Sequence, residues 1–282
     1  MHDDSPELPT TTADPHHRSR PLPPYRGILA VDMKGFTRRP AIEHEVLSRA
    51  LPELLRTSLE HAGLADVWNG RLFPATTGDG YILGFDPTLM PLVIHPWLHT
   101  LQDVLAELDA HALGTARIRL RVGLHIGPLP DTADAFGGNG TARTDTHRLL
   151  DSRPVRAVLA DHSEHVTYVA AVLSDRCYTD AVVSGYAGRH PHAFIEVPAT
   201  VDGKPFAQRA WLYVPAPSGP LPGRTTSADR AQAPAAANPS RAVTGTLRAD
   251  RGIINTGLVR GGQHLTNLDR SARPEPEAGH DA

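Results

Sequence analysis

The order in which strand-like and helix-like patterns follow each other constrains the fold of this chain most. A short apolar run ends at Asp32, and a helical pattern follows over 41–63. Two strand patterns lie between 67 and 85. The remaining patterns predict a helix over 96–112, a strand over 116–127, a helix over 144–160, a strand over 166–173, a short helix over 175–183 and a strand pair over 193–214.

This order, β-α-β-β-α-β-α-β with two terminal strands, predicts an α+β domain with a ferredoxin-like core. We expect a mixed, mainly antiparallel sheet with helices on one face. Pro52 lies inside the first helical pattern, so we expect a kink or a late helix start there. The predicted apolar stripe of that helix consists of Val46, Leu51, Leu54, Leu55 and Leu59.

Composition divides the chain into one folded domain and two tails. All three tryptophans lie within 25–215, where the periodic apolar pattern is also concentrated. Residues 1–24 are predicted to be a disordered lead, and residues 216–282 a mostly disordered tail. Within that tail, the β-prone segment 251–267 is a candidate for pairing with copies of itself or with a protein partner. The alternative is a disordered tail with an adhesive patch.

The bulk properties exclude several classes of protein. A formal net charge of −3 gives no large single-sign field, so we expect neither nucleic-acid nor membrane binding. The single cysteine, Cys177, excludes an internal disulfide and is compatible with a reducing cytoplasm. No signal peptide or membrane-spanning run is evident. The sequence therefore predicts a soluble, cytoplasmic protein.

Two aspartates stand where an apolar strand meets a glycine-containing turn. Asp32 belongs to Asp-Met-Lys-Gly-Phe-Thr over 32–37, and Asp79 to Thr-Gly-Asp-Gly over 77–80. Taken alone, each is compatible with an ordinary turn residue that bonds to nearby backbone. Together they are compatible with a site for divalent cations and phosphoryl chemistry, because Mg²⁺ prefers one or two carboxylates plus substrate phosphates. Glycine-rich phosphate loops with Lys-Ser/Thr, nucleophile elbows and His-Glu-x-x-His zinc motifs do not occur.

Four segments in this order resemble the class III nucleotidyl cyclase catalytic domain. Besides the two aspartate segments, they are Leu-Arg-Val-Gly-Leu-His-Ile-Gly over 120–127 and Thr-Asp-Thr-His-Arg-Leu-Leu-Asp over 144–151. The resemblance covers residues 25–215 and implies the palm-type ferredoxin-like fold. It also implies conversion of a nucleoside triphosphate to a 3′,5′-cyclic nucleotide and pyrophosphate, at a homodimer interface.

The resemblance implies roles for residues near the first two segments. Asp32 and Asp79 would hold two Mg²⁺ or Mn²⁺ ions. The backbone N–H groups of Gly35, Phe36 and Thr37 would receive phosphate oxygens. Arg121 would support the triphosphate, with a surface strand position as the alternative.

Further roles are implied for Arg148 and Thr144, and here the chain departs from the usual pattern. Arg148 matches the arginine that stabilises charge on the transferring phosphate, with a solvated helix arginine as the alternative. Thr144 replaces the asparagine that orients the ribose. Ala75 replaces the lysine with which adenylate cyclases read the base, and Asp134 is a candidate for the second base contact.

Two further segments point to a particular subgroup of this family. Residues 148–151 and 172–178 resemble an actinobacterial cyclase-like subgroup related to antiphage cytidylate and uridylate cyclases. The base is therefore not fixed, and a pyrimidine nucleotide is conceivable. The departures at Ala75 and Thr144 keep a second hypothesis open, a catalytically degenerate cyclase homology domain that binds nucleotide or dimerises while its tail recruits a partner.

Overall fold

The computed structural model describes residues 19–111, 117–130 and 137–222. Seven strands form one sheet in the order β2-β3-β1-β4-β5-β7-β6. The strands are β1 (Tyr25–Met33), β2 (Leu72–Thr76), β3 (Gly80–Phe85), β4 (Leu120–Pro128), β5 (Val169–Ser174), β6 (Ile195–Thr200) and β7 (Ala207–Tyr213). The β4–β5 pair is parallel and the other five pairs are antiparallel.

Seven α-helices accompany this sheet in the described ranges. They are α1 (Ala41–His61), α2 (Ala65–Asn69), α3 (Met90–Leu92), α4 (Leu98–His111), α5 (Thr141–Leu150), α6 (Arg153–Asp161) and α7 (Asp175–Tyr178). Short 3₁₀ turns cover Phe36–Arg38, Pro87–Leu89 and Pro191–Ala193, and wider π-type turns cover Val93–Trp97 and Thr179–Val183.

The first four strands confirm the predicted ferredoxin-like core. They stand in the order β2-β3-β1-β4 with every pair antiparallel, and α1 and α4 are the connections that follow β1 and β3. The parallel β4–β5 pair then extends the sheet, and the antiparallel β6–β7 hairpin completes it. The predicted mixed, mainly antiparallel sheet is therefore also confirmed.

Helices cover both faces of the sheet, which corrects the expectation that they lie on one. Leu29 and Val31 of β1 belong to the same core cluster as residues of α1 and α4. The alternate residues Ile28 and Ala30 pack in a separate cluster with Ala142 of α5. The reason is that β1 is apolar at successive positions, so both of its faces require cover from water.

Helix α1 runs from Ala41 to His61 through Pro52, so the expected late start is wrong. Leu51, Leu55 and Leu59 are buried as predicted. Val46 was predicted to belong to the same stripe, but it is exposed, and Leu47 is buried instead. The packed stripe holds the helix together across the missing proline N–H.

The predicted helix over 144–160 is two helices, α5 and α6, with a break at 151–152. Pro154 lies in the first turn of α6, where a missing N–H is tolerated. In one continuous helix Pro154 would lack the N–H that bonds to the carbonyl of Leu150 and its ring would clash with that carbonyl, which favours a new helix start here. The break lies beside the cavity described below, and residues on and after it line that cavity.

Packing contacts of the described residues extend from Pro24 to Leu221. The carbonyl of Pro24 accepts a hydrogen bond from the N–H of Leu129. Leu221 is buried beyond the predicted boundary at 215, in the cluster formed by β6, β7 and α6. The β-prone segment 251–267 and most of the predicted lead lie outside the described residues. Among the helices in the described ranges, none has the length and apolar character that crossing a bilayer requires.

We expect Leu55→Ala to destabilise the domain strongly, because Leu55 is fully buried between α1 and the sheet. Removing its side chain should lower the free energy of unfolding by about 2–5 kcal/mol. Val46→Ala is the matched control on the same helix, where the exposed valine should matter by less than about 0.5 kcal/mol. Urea denaturation measures both variants, and equal losses would contradict the assigned packing face.

We expect His125 to make the domain less stable in mild acid. It lies on β4 opposite Ile28, and burial lowers its pKa from 6.5 to about 4. Between these values the unfolded chain binds a proton that the folded chain does not, so the free energy of unfolding falls as the pH drops from 6.5 towards 4. Denaturation of His125→Gln should show a shallower fall, and a fall as steep as that of the wild type would contradict this role.

Candidate active site

The site is built around Asp32, close to the end of the central strand β1. Directly across from Asp32, the neighbouring strand β3 has Gly80 and the strand β4 has Arg121. The N–H of Met33 donates to the carbonyl oxygen of Asp79 at 2.9 Å. The β2–β3 turn is thereby held against the end of β1, and the two predicted metal-binding aspartates become neighbours.

Gly80 allows this close approach because it has no side chain. A Cβ atom at this position would lie 2.6 Å from the carbonyl oxygen of Val31 and 2.5 Å from Oγ1 of Thr77, distances that real Cβ atoms do not show. The turn is also fastened to helix α1, since Oγ of Ser48 donates to the carbonyl oxygen of Gly78 at 2.6 Å. Asp79 therefore sits on a turn that is held from two sides.

Asp32 and Asp79 line a common cavity of about 740 Å³. The predicted phosphate-binding residues also line it, as do several residues that the sequence analysis did not select. The lining consists of residues 32–38 together with Asp79, Arg121, Asp151, Arg156, Ala157, Leu159 and Ala160. Six of the ten predicted site residues are thus brought together, although whether they act as predicted stays a prediction.

The turn after β1 presents backbone to this cavity. Gly35 has φ 74°, a left-handed conformation that favours glycine, and it precedes the 3₁₀ turn Phe36–Arg38. The first N–H groups of such a turn have no partner inside it. Phe36 is buried and stacks on His44 with ring centroids 4.3 Å apart, whereas Gly35 and Thr37 are exposed. Phe36 therefore anchors a turn whose polar backbone remains accessible.

Arg121 forms an ion pair with Asp32 inside the cavity. Its Nε donates to Oδ1 of Asp32 at 3.1 Å, and its Nη2 donates to the same oxygen. Burial is the main cause that raises the pKa of Asp32 above its ordinary value, while Arg121 acts in the opposite direction. The charges of Asp79 and Asp151 raise that pKa further. Asp32 is thus a partly desolvated carboxylate for which a nearby cation is favourable.

The donor set fits a hard divalent cation that takes further ligands from a substrate. Asp32 and Asp79 offer two carboxylates, which suits Mg²⁺ or Mn²⁺ bound together with phosphate oxygens. Across residues 19–111, 117–130 and 137–222, no group of three or more His, Cys, Asp or Glu side chains is arranged to hold a metal ion. The chain is therefore suited to share a metal with a bound phosphate group rather than to enclose one.

Thr144 and Arg148 lie on α5 and do not line this cavity. Oγ1 of Thr144 donates to the carbonyl oxygen of Gly140 at 3.3 Å. Nη1 of Arg148 contacts Oδ1 of Asp145 at 3.2 Å, and its guanidinium lies 5.6 Å from the centre of the Phe206 ring. Within one chain, these two residues are not brought together with the aspartates.

The two predicted base-binding residues also lie apart from the cavity lining. Ala75 is on β2 opposite Ile82 and packs against the cluster that contains Ile28 and Ala30. It offers no hydrogen-bonding side chain. Asp134 lies outside the described residues.

Asp151 and Arg156 line the cavity although the sequence analysis did not assign them a role. Asp151 lies in the break between α5 and α6, and Arg156 lies near the start of α6. Pro154 is the signal that could have revealed them, because a helix break at this proline changes which side chains face the sheet. Lys34 also lines the cavity, and its Nζ donates to the carbonyl oxygen of Leu159 in α6.

No protein-family model and no curated protein matches this sequence. Several solved structures are similar in fold. An adenylate/guanylate cyclase/hydrolase from Silicibacter pomeroyi is 22% identical, with 68% of this chain and 96% of that chain covered and a TM-score of 0.44. The adenylyl cyclase CyaB from P. aeruginosa is 13% identical, with 67% and 93% covered and a TM-score of 0.42. The guanylate cyclase domain of RhGC from Catenaria anguillulae, in complex with GTP, is 15% identical, with 67% and 96% covered and a TM-score of 0.41.

Because these TM-scores are below 0.5, the fold assignment rests on the strand order and register of this chain.

We expect Arg121→Gln to strengthen Mn²⁺ binding in the absence of nucleotide. The arginine occupies Oδ1 of Asp32, so a metal ion must displace it. Losing a charge-assisted contact of this kind should raise the affinity for Mn²⁺ by about tenfold, measured by calorimetry. Arg156→Gln removes the same charge from the same cavity and is the matched control, with a smaller expected gain. Unchanged or weaker binding to Arg121→Gln would contradict this competition.

Proposed function

We propose that this protein is a nucleotidyl cyclase, which joins the ribose 3′-oxygen of a nucleoside triphosphate to its own α-phosphorus and releases pyrophosphate. The observation that carries this proposal is the convergence of Asp32 and Asp79 in one cavity beside the turn at 35–37. A carboxylate pair next to exposed backbone N–H groups suits a substrate that carries both phosphates and metal ions.

In this proposal the two aspartates, the turn at 35–37 and Arg121 have different tasks. Two Mg²⁺ or Mn²⁺ ions bound with the substrate would activate the 3′-hydroxyl and neutralise the departing pyrophosphate. Asp32 and Asp79 hold that positive charge in place. The N–H groups of Gly35, Phe36 and Thr37 orient the phosphate oxygens, while Arg121 exchanges its bond to Asp32 for one to the triphosphate.

We infer that the complete site needs two copies of the chain in a head-to-tail dimer. The positions of Thr144 and Arg148 outside the cavity of their own chain support this arrangement, as does the accessibility of Arg148, whose side chain is 35% exposed. A second copy would supply Arg148 to the transferring phosphate and Thr144 to the ribose. Threonine reaches less far than asparagine, so slow turnover is expected.

The base remains open in this proposal. Ala75 provides no polar contact of the kind that reads adenine, which is compatible with a different base, including the pyrimidines suggested by segments 148–151 and 172–178. We place the activity in the cytoplasm because the single cysteine suits a reducing compartment. The segment 251–267 is proposed as the site where a protein partner or another copy attaches.

A degenerate cyclase homology domain is the second candidate. It is favoured by the Arg121–Asp32 ion pair, which blocks one carboxylate oxygen, and by the departures at Ala75 and Thr144. Such a domain would bind a nucleoside triphosphate or dimerise without turning it over. Calorimetry that detects tight nucleotide binding by a protein without cyclase activity would favour this candidate.

The cyclase proposal predicts a cyclic product from at least one nucleotide. The full chain is incubated with an equimolar mixture of the four nucleoside triphosphates and Mn²⁺, and mass spectrometry identifies the products. Asp79→Ala should abolish the product, because one of the two carboxylates that hold the metal ions is lost. Absence of a cyclic nucleotide from every substrate, with Mg²⁺ as well as Mn²⁺, would overturn the proposal.

The dimer predicts that two inactive variants complement each other. Asp79→Ala and Arg148→Ala should each be inactive alone. When they are mixed, half of the dimers are heterodimers with one intact site of two, so about a quarter of the wild-type activity should return. If both groups acted within one chain, mixing would restore nothing.

A further inference from the structure

A second cavity lies next to the candidate active site and has a different charge. Its volume is about 320 Å³, and Lys34 and Gly35 line both cavities. Its other lining residues are Arg39, Arg117, Arg119 and Glu164. Four cationic side chains thus face one carboxylate, and neither Asp32 nor Asp79 belongs to the lining.

Arg119 is a buried cation that donates three hydrogen bonds to backbone carbonyl oxygens. It is 5% exposed, and its guanidinium donates to the carbonyl oxygens of Thr167 at 2.8 Å, Leu159 at 2.8 Å and His162 at 3.2 Å. Within the described parts of the chain, no carboxylate lies within ion-pair distance of Arg119. Carbonyl dipoles satisfy its N–H groups but leave its charge without a directly paired carboxylate, and Glu164 attracts it only from beyond ion-pair distance, so a further anion nearby is favoured.

The other cations of this cavity differ in how well they are neutralised. Arg117 is paired on both sides, with Nε 2.8 Å from Oδ1 of Asp109 and Nη1 2.8 Å from Oε1 of Glu164. Arg39 is paired more weakly, since its Nη1 lies 3.5 Å from Oε2 of Glu43 while its Nη2 donates to a backbone carbonyl oxygen. A guanidinium has five N–H donors, so Arg39 keeps donors for a further acceptor.

We propose that this second cavity binds a phosphate-class oxyanion. Guanidinium groups recognise the oxygens of phosphate in pairs and remain charged at every physiological pH. A cavity of about 320 Å³ has room for such an ion with several waters, since a water occupies about 30 Å³ in the liquid. Inorganic phosphate and pyrophosphate both present oxygens of this kind. The site adjoins the cavity of the metal-dependent chemistry proposed above, with which it shares Lys34 and Gly35, but it needs neither metal nor nucleotide.

Titration of the full chain with inorganic phosphate tests this site. Calorimetry is carried out without metal or nucleotide, at an ionic strength fixed with sodium chloride, and a parallel titration uses pyrophosphate. Arg39→Gln should weaken phosphate binding by about tenfold because a charge-assisted contact is lost. Arg38→Gln is the matched control, since the adjacent Arg38 lines only the first cavity.

Glu164→Gln gives a change of opposite sign. It removes the only negative charge among the lining side chains while keeping an oxygen that can accept from Nη1 of Arg117, so phosphate should bind about threefold more tightly. Glu164 is 62% exposed, and its replacement is not expected to disturb folding.

The proposal is overturned if phosphate produces no saturable heat, if Arg39→Gln and Glu164→Gln leave its affinity unchanged, or if Arg38→Gln weakens binding as much as Arg39→Gln does. Tighter binding of pyrophosphate than of phosphate would identify pyrophosphate as the preferred anion of the site. Because cyclase activity is not measured, failure of the proposed function would leave this result unaffected.

Discussion

The candidate site depends on the pairing of β1 with strands on both of its sides. This pairing puts Gly80, Asp32 and Arg121 in one row across three strands. A slip of one residue in either register would turn a side chain of the row to the opposite face, because successive residues of a strand alternate. Close packing at a glycine opposes such a slip, since the Phe85 ring on β3 lies 2.8 Å from where a Cβ atom of Gly27 would stand. The packing of the core therefore determines where the carboxylate of Asp32 stands.

The electrostatics of the cavity follow from this row. Asp32 is partly desolvated and close to other acidic groups, which makes an isolated negative charge unfavourable there. Arg121 lies on the adjacent strand β4 and forms an ion pair with Asp32, which offsets that negative charge. Binding of a metal ion would exchange one cation for another, so the free energy of metal binding includes the loss of this ion pair. The same arginine would then be available to a phosphate group.

Local patterns were sufficient to predict the order of the elements along the chain, the glycine-containing turn at Asp79 and the position of Asp32 at the end of a strand. The apolar runs and glycine-containing turns that define them are short and continuous in sequence. The placement of α5 on the second face was not predicted, because helical periodicity does not specify which face of a sheet a helix covers. Asp151 and Arg156 were missed for a related reason: they enter the cavity only because the chain breaks near Pro154. The exposure of Val46 likewise depends on the rotation of α1 against the sheet.

The hydrogen bond from Ser48 to Gly78 links the long helix α1 to the turn that carries Asp79. The position of Asp79 is thereby tied to the way α1 packs on the core, because Leu47 and Leu51, on either side of Ser48, belong to the main buried cluster. The spacing of the two carboxylates therefore depends in part on side chains that do not line the cavity.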